Sequence, residues 1–530
     1  MTLRNSGARI ATLAATLASA FTATNAATQK TTADIILRGG TVYPGGTEPF
    51  RGDVAVRGDR IVYVGRRAPG PAKRVIDARG LIVAPGFIDP HTHVGDALAS
   101  DDPAARLVMP FITQGVTTAF IGVDGDGEPD IAATFGGSDP RNWGINFGSY
   151  VGLGAVRKQV LGAADRAPNA AELARMNTLV GDAMCAGALG LSAGLFYAPQ
   201  SFAKRDEVVS LARTAAARGG VYDSHIRDES SYTIGLAGAI DEALDIGRQT
   251  GIPVHIGHIK ALGVDVQGQA PAIVAKIEDA QRSGLAVTAD QYPWSASGTG
   301  LSAALVPRWA QDGGREAMLK RLDHPSQLDR LRPLMAENLR RRGGPASLLI
   351  TRGPEGTRGK TLEAIAAEMR VTPVEAAIAV LKRGEAGVAS FNQTEADIAA
   401  FMTRPWVVSS SDASEGHPRY YASFARKYAT YVREKRILDV RAFIDQSSYR
   451  TAAIFALEGR GQLKAGAYAD VIAFDPNSFA PRADYIKPTL FSRGMRTVLV
   501  NGQLALDEGL PTGIAGGRPL PRSPKAGTCR

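Results

Sequence analysis

The segment Gly86-Phe87-Ile88-Asp89-Pro90-His91-Thr92-His93 carries two histidines one residue apart, shortly after the apolar run Leu81-Ile82-Val83-Ala84-Pro85. In an extended segment, residues i and i+2 point to the same side of the chain. His91 and His93 can therefore reach one metal ion, and zinc binds imidazole nitrogens at about 2.0–2.1 Å. The alternative interpretation is an exposed His-Thr-His turn, because short motifs also occur by chance.

Three further apolar runs end in a polar side chain: Val221 to His225, Val254 to His258, and Val407 to Asp412. In a parallel barrel, polar groups at the C-terminal ends of the strands form the active site. Of the two histidines in the second run, only His258 is predicted to be a ligand. The alternatives are a structural histidine in each run, and for Asp412 an N-cap in a Ser-Asp-Ala-Ser turn.

The order of these runs predicts the domain organisation. Residues 34–85 and 459–512 contain short apolar runs punctuated by glycine, which is typical of strands in one small β-sandwich domain built from both chain ends. Between them, residues 86–458 alternate strands with helices such as Ser210–Ala217 and Ile240–Thr250, which predicts an α/β fold with a (β/α)8 TIM-like barrel. We expect a helical insertion at about residues 300–345 and a flexible tail at residues 513–530.

The first 26 residues have the pattern of a secretory signal peptide. Arg4 and Arg9 precede the apolar run from Ile10 to Phe21, and small residues at Thr24-Asn25-Ala26 offer a cleavage site before Ala27. The run is too short for a membrane span, and no other long apolar run follows. We therefore expect a periplasmic or secreted protein.

Composition is that of an ordinary globular enzyme, with 44% hydrophobic and 21% charged residues. The net charge of +9 is dispersed, and the densest basic patch, Arg340-Arg341-Arg342, is interpreted as a solvated helix end. No aromatic or groove-reading element accompanies it, so nucleic acid is not an expected partner. A basic surface favours small anionic substrates such as free carboxylates. The sequence sets no oligomeric state.

The chain contains two cysteines, Cys185 and Cys529. Two cysteines make no disulfide framework, although export to an oxidising compartment leaves a bond between them possible. The preferred interpretation is a buried Cys185 and an unpaired, exposed Cys529.

The ordered set of motifs resembles the amidohydrolase superfamily and, within it, the D-aminoacylase (N-acyl-D-amino-acid deacylase) family. The resemblance extends from about Asp34 to Pro476. The stretches that carry it are Gly86 to His93, Gln114-Gly115-Val116-Thr117-Thr118, Gly190 to Tyr197, His225 to Glu229, Gly257 to Lys260, Asp290-Gln291-Tyr292-Pro293, His417-Pro418-Arg419 and Gly466 to Asp475. It implies a metal-dependent hydrolase acting on a carbon–nitrogen bond other than a peptide bond.

One position departs from the family pattern. Members usually carry Gly-Asn-Cys-Gly, with the cysteine as a metal ligand, where this chain has Gly122-Val123-Asp124-Gly125. A carboxylate binds zinc and can bridge two ions, but it is a harder ligand than a thiolate. Asp124 is either a bridging ligand or a turn residue between glycines. No lysine lies on Gly190 to Leu195, so no carbamylated-lysine bridge is expected.

The resemblance implies amide hydrolysis with one or two zinc ions, or another divalent metal. His225 and His258 with Asp124 form the expected tight site, and His91 and His93 complete it or hold a second ion. Asp412 is the predicted general base, which moves a proton from water to the leaving amine. The remaining implied site residues bind a substrate carboxylate (Lys260, Tyr292 and Arg419) or lie near the scissile carbonyl (Tyr197).

The leading prediction is hydrolysis of N-acyl-D-amino acids to a carboxylate and a D-amino acid. A dipeptidase or a cyclic-amide hydrolase of the same superfamily is the first alternative. The second alternative is a catalytically weak metal-binding or substrate-binding protein, because a usual metal ligand is altered.

Overall fold

Strands from both ends of the chain pair in one nine-stranded sheet in the computed structural model, which describes residues 33–136 and 142–529. The predicted signal peptide lies outside the described residues. Antiparallel pairing of Ile82–Pro85 with Val471–Phe474 joins the two ends. The other strands are Ala33–Val42, Phe50–Arg57, Arg60–Gly65, Ala72–Asp77, Met495–Val500, Gln503–Asp507 and Leu510–Pro511.

Parallel strands fill the middle of the molecule in two sheets. Three strands form the first sheet (Phe87–Asp89, Val116–Ile121 and Asn146–Ser149), and six form the second (Val151–Gly152, Gly190–Gly194, Val221–His225, Val254–Ile256, Val287–Gln291 and Val407–Ser409). Only Tyr150 separates Asn146–Ser149 from Val151–Gly152, and a parallel bridge joins Thr92 to Ala413 at the opposite edges. The strands are buried almost throughout, as expected of parallel sheets covered by helices.

Helices follow most of the parallel strands and cover them. They are Leu153–Leu161, Ala170–Cys185, Arg205–Ala217, Gly235–Thr250, Ala270–Arg282, Glu395–Met402 and Arg419–Arg426. Local sequence fixes their ends: Asn169 and Glu172 form a capping box at the start of Ala170–Cys185, and Gly251 adopts a left-handed conformation after Thr250. The helical stretches that periodicity predicted, residues 210–217 and 240–250, lie inside two of these helices.

The insertion is larger than the helical segment predicted at about residues 300–345. Residues 296–391, called here the inserted subdomain, contain an antiparallel sheet of Ala296–Gly300, Leu348–Arg352 and Gly387–Phe391. Its helices are Leu301–Leu305, Gly314–Asp323, Pro325–Arg341, Leu362–Met369 and Pro373–Arg383. They bury a separate apolar core that includes Leu331, Met335 and Leu381. The later part alternates strand and helix, so the sequence pattern alone did not distinguish it from the parallel units.

Two predictions for the C-terminal residues differ from the structure. Cys185 and Cys529 are joined by a disulfide bond, so the interpretation of two unpaired cysteines is wrong. Residues 513–529 do not form a free tail, because Gly517 and Pro519 make backbone bridges to Trp143 and Phe147. Composition suggested disorder because it reports low local propensity, whereas pairing with distant segments orders this stretch.

Among the described residues, no helix is both long enough and apolar enough to cross a lipid bilayer.

Candidate metal centre and active site

His91 and His93 follow the parallel strand Phe87–Asp89 and both reach Asp124. The His91 Nε2 atom lies 3.1 Å from Asp124 Oδ1, and His93 Nε2 lies 3.5 Å from Asp124 Oδ2. His91 is fully buried, whereas the side chain of His93 is 31% exposed. The exposed-turn interpretation therefore does not describe this pair, and the i, i+2 spacing does bring both rings to one group.

His225 and His258 approach the same carboxylate from neighbouring strands. His225 ends Val221–His225, and His258 follows Val254–Ile256 by two residues. Their Nδ1 and Nε2 atoms are 2.8 Å apart, and they lie 3.6 Å and 3.4 Å from Asp124 Oδ1. Burial lowers the pKa of His225, although nearby Glu229 opposes that effect. His255, by contrast, points into the core and contacts Asp290 at 3.0 Å.

Asp124 satisfies both interpretations of its sequence position. Its backbone forms a turn with φ of +56°, a left-handed conformation that aspartate tolerates better than most residues. Its carbonyl oxygen accepts a hydrogen bond from Gln200 Nε2 at 2.7 Å. The side chain nevertheless points at the four histidines and is only 6% exposed. The turn is what aims the carboxylate.

Several buried nitrogen and oxygen atoms around Asp124 form no hydrogen bond in the described chain. They are both ring nitrogens of His91, Oδ1 of Asp124 and Nε2 of His225. A buried polar atom without a partner costs about 1–3 kcal/mol, so such atoms rarely cluster without a ligand. Among the described residues, three sets of ligand atoms each lie within 4.8 Å of one another: His91-His93-Asp124, Asp124-His225-His258 and His91-Asp223-Asp290. This imidazole and carboxylate set suits zinc and related divalent ions.

Asp412 bridges the histidine cluster and a buried arginine. Its Oδ1 lies 3.3 Å from His93 Nε2, and its Oδ2 accepts a hydrogen bond from Arg419 Nη1 at 2.6 Å. Burial raises the pKa of Asp412, but Arg419 and the histidines outweigh it and hold the pKa below its usual value. Asp412 caps no helix, because the next helix, Arg419–Arg426, has Pro418 at its N-cap. The N-cap alternative is therefore wrong.

The predicted carboxylate-binding residues lie on the same side of the cavity. Both cations lie near one ring: Lys260 Nζ is 5.6 Å and the Arg419 guanidinium is 5.3 Å from the Tyr292 ring centre. The Tyr197 ring lies beside that of His225, with ring centres 4.7 Å apart and planes tilted by 57°. Lys260 is also paired with Glu229, a residue that the sequence did not single out as a site residue.

One cavity of about 1140 Å³ joins these groups. Nine of the ten residues predicted from the sequence line it: His93, Asp124, Tyr197, His225, His258, Lys260, Tyr292, Asp412 and Arg419. His91 lies just beneath its floor, fully buried. Residues far apart in the sequence thus meet at one concave surface of a size that suits a small molecule.

A layer of buried acidic residues beneath the cavity was not predicted from the sequence. Asp290 accepts a hydrogen bond from the His258 backbone N–H at 3.1 Å and lies 3.7 Å from His91 Nδ1. Burial raises the pKa of Asp89 to about 7 and that of Asp223 to about 6. Each of these aspartates stands two residues before a predicted site residue (His91, His225 or Tyr292), and this was the available signal, because alternate side chains of a strand share one face.

Comparison with known proteins adds to this geometry. No protein-family model matches the chain. It is 32% identical to N-acyl-D-glutamate deacylase and 31% identical to D-aminoacylase, both of Alcaligenes xylosoxydans xylosoxydans, across 90% and 92% of this chain and 95% and 98% of those proteins. The chain belongs to the D-aminoacylase family. Its members are amidohydrolases, hydrolases of non-peptide carbon–nitrogen bonds, so the prediction of family and enzyme class is confirmed.

A solved structure of a D-aminoacylase-family protein aligns with the whole architecture. The N-acyl-D-glutamate deacylase of Bordetella bronchiseptica, complexed with zinc and a phosphonate inhibitor that mimics the tetrahedral intermediate, superposes with a TM-score of 0.80 at 30% identity. The alignment covers 93% of this chain and 100% of that one. The α/β fold is therefore shared.

Proposed function

We propose that this protein hydrolyses the amide bond of N-acyl-D-amino acids in a metal-dependent reaction, releasing a carboxylate and a D-amino acid. The convergence of four histidines and two aspartates on one cavity carries the proposal. Its support from comparison is full-length similarity to D-amino-acid deacylases rather than a shared short motif.

The metal would be zinc or another divalent ion, with one or two ions bound. His225, His258 and Asp124 would hold one ion, and His91 and His93 would share Asp124 for a second. When bound, such an ion polarises the scissile carbonyl and lowers the pKa of a bound water to about 7. Carboxylate in place of thiolate favours harder ions than the usual family ligand does.

Asp412 would act as the general base. Its Oδ1 faces the centre beside His93, so it can accept a proton from the attacking water and pass it to the leaving nitrogen. Arg419 keeps this carboxylate ionised and ready to accept the proton, because a nearby cation stabilises the charged form.

Arg419, Lys260 and Tyr292 would bind the free carboxylate of the substrate. Arginine clamps a carboxylate through two parallel hydrogen bonds, and within the described part of the chain Arg419 Nη2 hydrogen-bonds only to Ser414 Oγ, at 2.9 Å. Tyr197, whose ring lies beside that of His225, would donate a hydrogen bond to the oxygen of the scissile carbonyl. A substrate carboxylate held by these residues, close to Asp412, would orient the amide for attack.

The domain assignments and location are part of the same proposal. The parallel strands would close into a (β/α)8 barrel over residues 86–458, with Asn146–Ser149 and Val151–Gly152 counted as one strand interrupted at Tyr150. The Thr92–Ala413 bridge joins the other two sheet edges. The end strands would form a β-sandwich domain. Export to the periplasm or medium is supported by the basic-then-apolar N-terminal pattern and by the Cys185–Cys529 bond, since disulfides persist in oxidising compartments.

A substrate panel tests the function. Purified protein with assayed metal content is offered N-acetyl-D-amino acids, their L-forms, dipeptides and cyclic amides. We expect hydrolysis of D-forms, with loss of activity on chelation and recovery on adding zinc. Turnover of L-dipeptides or cyclic amides with inert D-forms would contradict the proposal, and metal-loaded protein without any amidase activity would indicate a binding protein.

A further inference from the structure

The basic triplet Arg340-Arg341-Arg342 is divided by the fold. Arg340 binds Asp265 at the surface, with Nη2–Oδ2 at 2.8 Å, and Arg341 Nη2 lies 3.4 Å from Glu337. Arg342 instead turns inward, is only 2% exposed and lines the cavity that contains the candidate metal centre. The interpretation of the triplet as a solvated helix end therefore holds for its first two members only.

Arg342 is buried without an acidic partner. Its Nε donates to Tyr232 Oη at 2.7 Å and its Nη1 donates to Ser390 Oγ at 3.2 Å, both uncharged hydroxyls. Across residues 33–136 and 142–529, no carboxylate forms an ion pair with it, and its Nη2 makes no hydrogen bond. The other two large, fully buried arginines differ in this respect: Arg157 is paired with Glu207 and Arg419 with Asp412.

An uncompensated guanidinium in this position is costly. Removing a charge from water costs several kcal/mol unless a counter-charge and hydrogen bonds replace the water. Arg342 is the C-cap residue of helix Pro325–Arg341, whose C-terminal end carries a partial negative charge equivalent to about half an elementary charge. Two hydroxyls and this partial charge leave much of the guanidinium unbalanced, on a wall that a ligand can reach.

A second cation, packed against the cavity-lining ring of Phe196, increases the imbalance. The Arg308 guanidinium lies 3.8 Å from the Phe196 ring centre, and the Arg342 guanidinium lies 6.0 Å from it. Burial lowers the pKa of Arg308 to about 10, and its Nη2 has no hydrogen-bond partner in the described chain. Phe196 connects this wall to the metal centre, because its ring centre is 5.8 Å from that of His225.

Two paired strands, Ala296–Gly300 and Gly387–Phe391, lie between Arg342 and the proposed carboxylate-binding residue Arg419. A Cβ atom on Gly298, in strand Ala296–Gly300, would lie 2.9 Å from Arg419 Nη2, so that arginine packs directly on the strand. The neighbouring Ser297 is paired in register with Ser390, the residue that binds Arg342. The two guanidiniums therefore contact adjacent strands and line one cavity, which suits a ligand with two anionic groups.

We propose that Arg342 binds a second carboxylate of the substrate, in addition to the one held by Arg419. The preferred substrates are then N-acyl-D-amino acids with an acidic side chain or with an acidic acyl group. This inference rests on the proposed function and specifies its substrate class. Sequence identity alone does not make this choice, since the chain is about as similar to D-aminoacylase as to N-acyl-D-glutamate deacylase.

The first test compares charged substrates with uncharged isosteres on the wild-type holoenzyme. N-acetyl-D-glutamate is compared with N-acetyl-D-glutamine, and N-succinyl-D-norvaline with N-succinamoyl-D-norvaline. We expect one diacid to exceed its isostere in kcat/KM by about 10- to 100-fold, the range of a hydrogen bond to a charged group. The pair that shows the difference tells whether the side chain or the acyl group carries the second carboxylate. Ratios near one in both pairs would overturn the inference.

The second test assigns the preference to Arg342. Arg342→Gln should reduce that ratio to near one, mainly through KM for the diacid, with little change for the isostere. Arg342→Lys keeps the charge and should retain part of the preference. Arg340→Gln and Arg341→Gln remove neighbouring charges outside the cavity and should keep the wild-type ratio. An unchanged ratio in a folded Arg342→Gln protein would assign the preference elsewhere and contradict the proposal.

Failure of the inference is distinguishable from failure of the proposed function. If no N-acyl-D-amino acid is hydrolysed, charged or neutral, the proposed function is wrong. If neutral substrates are hydrolysed as well as acidic ones, only the role of Arg342 is wrong. Should Arg342→Gln fail to fold, the wild-type ratios and the Arg342→Lys protein still decide the question.

Discussion

The two oxygens of Asp412 have different neighbours, and this predicts the result of removing its charge. Asp412→Asn keeps the shape and the contact with Arg419 but cannot accept a proton at neutral pH. Loss of a general base typically reduces the rate by about 10²- to 10⁴-fold. We expect that loss in kcat with normal metal content, measured by mass spectrometry of the metals.

Glu415→Gln is the matched control for Asp412→Asn, because Glu415 also lines the cavity but contacts none of the four histidines. Its activity should stay near that of the wild type. Asp412→Asn protein with wild-type kcat would remove the general-base role. Loss of metal together with activity would place Asp412 among the ligands instead.

We expect removal of the Asp124 carboxylate to change the metal content of the protein. Asp124→Ala deletes the one group that all four histidines share, so metal occupancy should fall sharply on dialysis. Asp124→Cys supplies the usual family ligand, and its thiolate should shift selectivity toward zinc over harder ions such as manganese. Competition dialysis followed by elemental analysis measures both effects.

Asp126→Ala controls for the turn that holds Asp124, because Asp126 lies two residues on and belongs to none of the donor groups. It should keep its metal. Full occupancy in the Asp124→Ala protein would show that this carboxylate is a turn residue alone.

Ligand types at strand ends could be predicted from the sequence because each followed an apolar run, as His225 and Asp412 do. Their partners could not be predicted in the same way. The pairing of Lys260 with Glu229, and of Arg419 with Asp412, depends on loops whose path is set by tertiary packing. The roles of Arg340 and Arg342 differ for the same reason, although the two residues are almost adjacent in the sequence.

At the scale of elements, the segment between Val254–Ile256 and His258 is constrained by a neighbouring ring. A Cβ atom on Gly257 would lie 2.8 Å from His91 Cε1 and 2.9 Å from its Nδ1. Gly257→Ala should therefore push the His91 ring away from Asp124 and weaken metal binding. We expect reduced metal affinity with a modest fall in Tm, measured by dialysis and by thermal unfolding.

Gly95→Ala is a suitable comparison, because a Cβ atom there would meet nothing within 4 Å. It should keep both the metal affinity and the Tm of the wild type. If Gly257→Ala behaves in the same way, the His91 ring is free to move and is not held by this contact.

Elements were predictable where periodicity and caps agreed, as in Ala170–Cys185 and Gly235–Thr250. The extent of the inserted subdomain was not predictable, because its strands pair antiparallel with partners up to 95 residues away, as Ala296 does with Phe391. A strand's partner is a property of the folded sheet and not of the strand's own residues.

At the scale of the whole molecule, the disulfide between Cys185 and Cys529 spans 344 residues. A crosslink over a long loop restricts the unfolded chain, and removing a native one typically costs about 2–4 kcal/mol. Cys529→Ser should therefore lower the free energy of unfolding, measured in denaturant with the metal bound. Because residues 513–529 also pair with distant strands, the native fold should survive.

Cys185→Ser and the double variant complete this experiment. The three variants should lose the same stability, since each lacks the same bond, and reductant should reduce the wild type to their level. Different losses for the two single variants would indicate that one thiol site contributes through packing and not through the bond.

The presence of only two cysteines in these 530 residues has a consequence for oxidative folding. A chain with four or more cysteines can form wrong internal pairs that an isomerase must then exchange. Here no such internal error exists, so the thiol of Cys185 can react wrongly only with another molecule. Oxidation during dilute refolding should give monomers with one linkage, and crowded refolding should give covalent dimers.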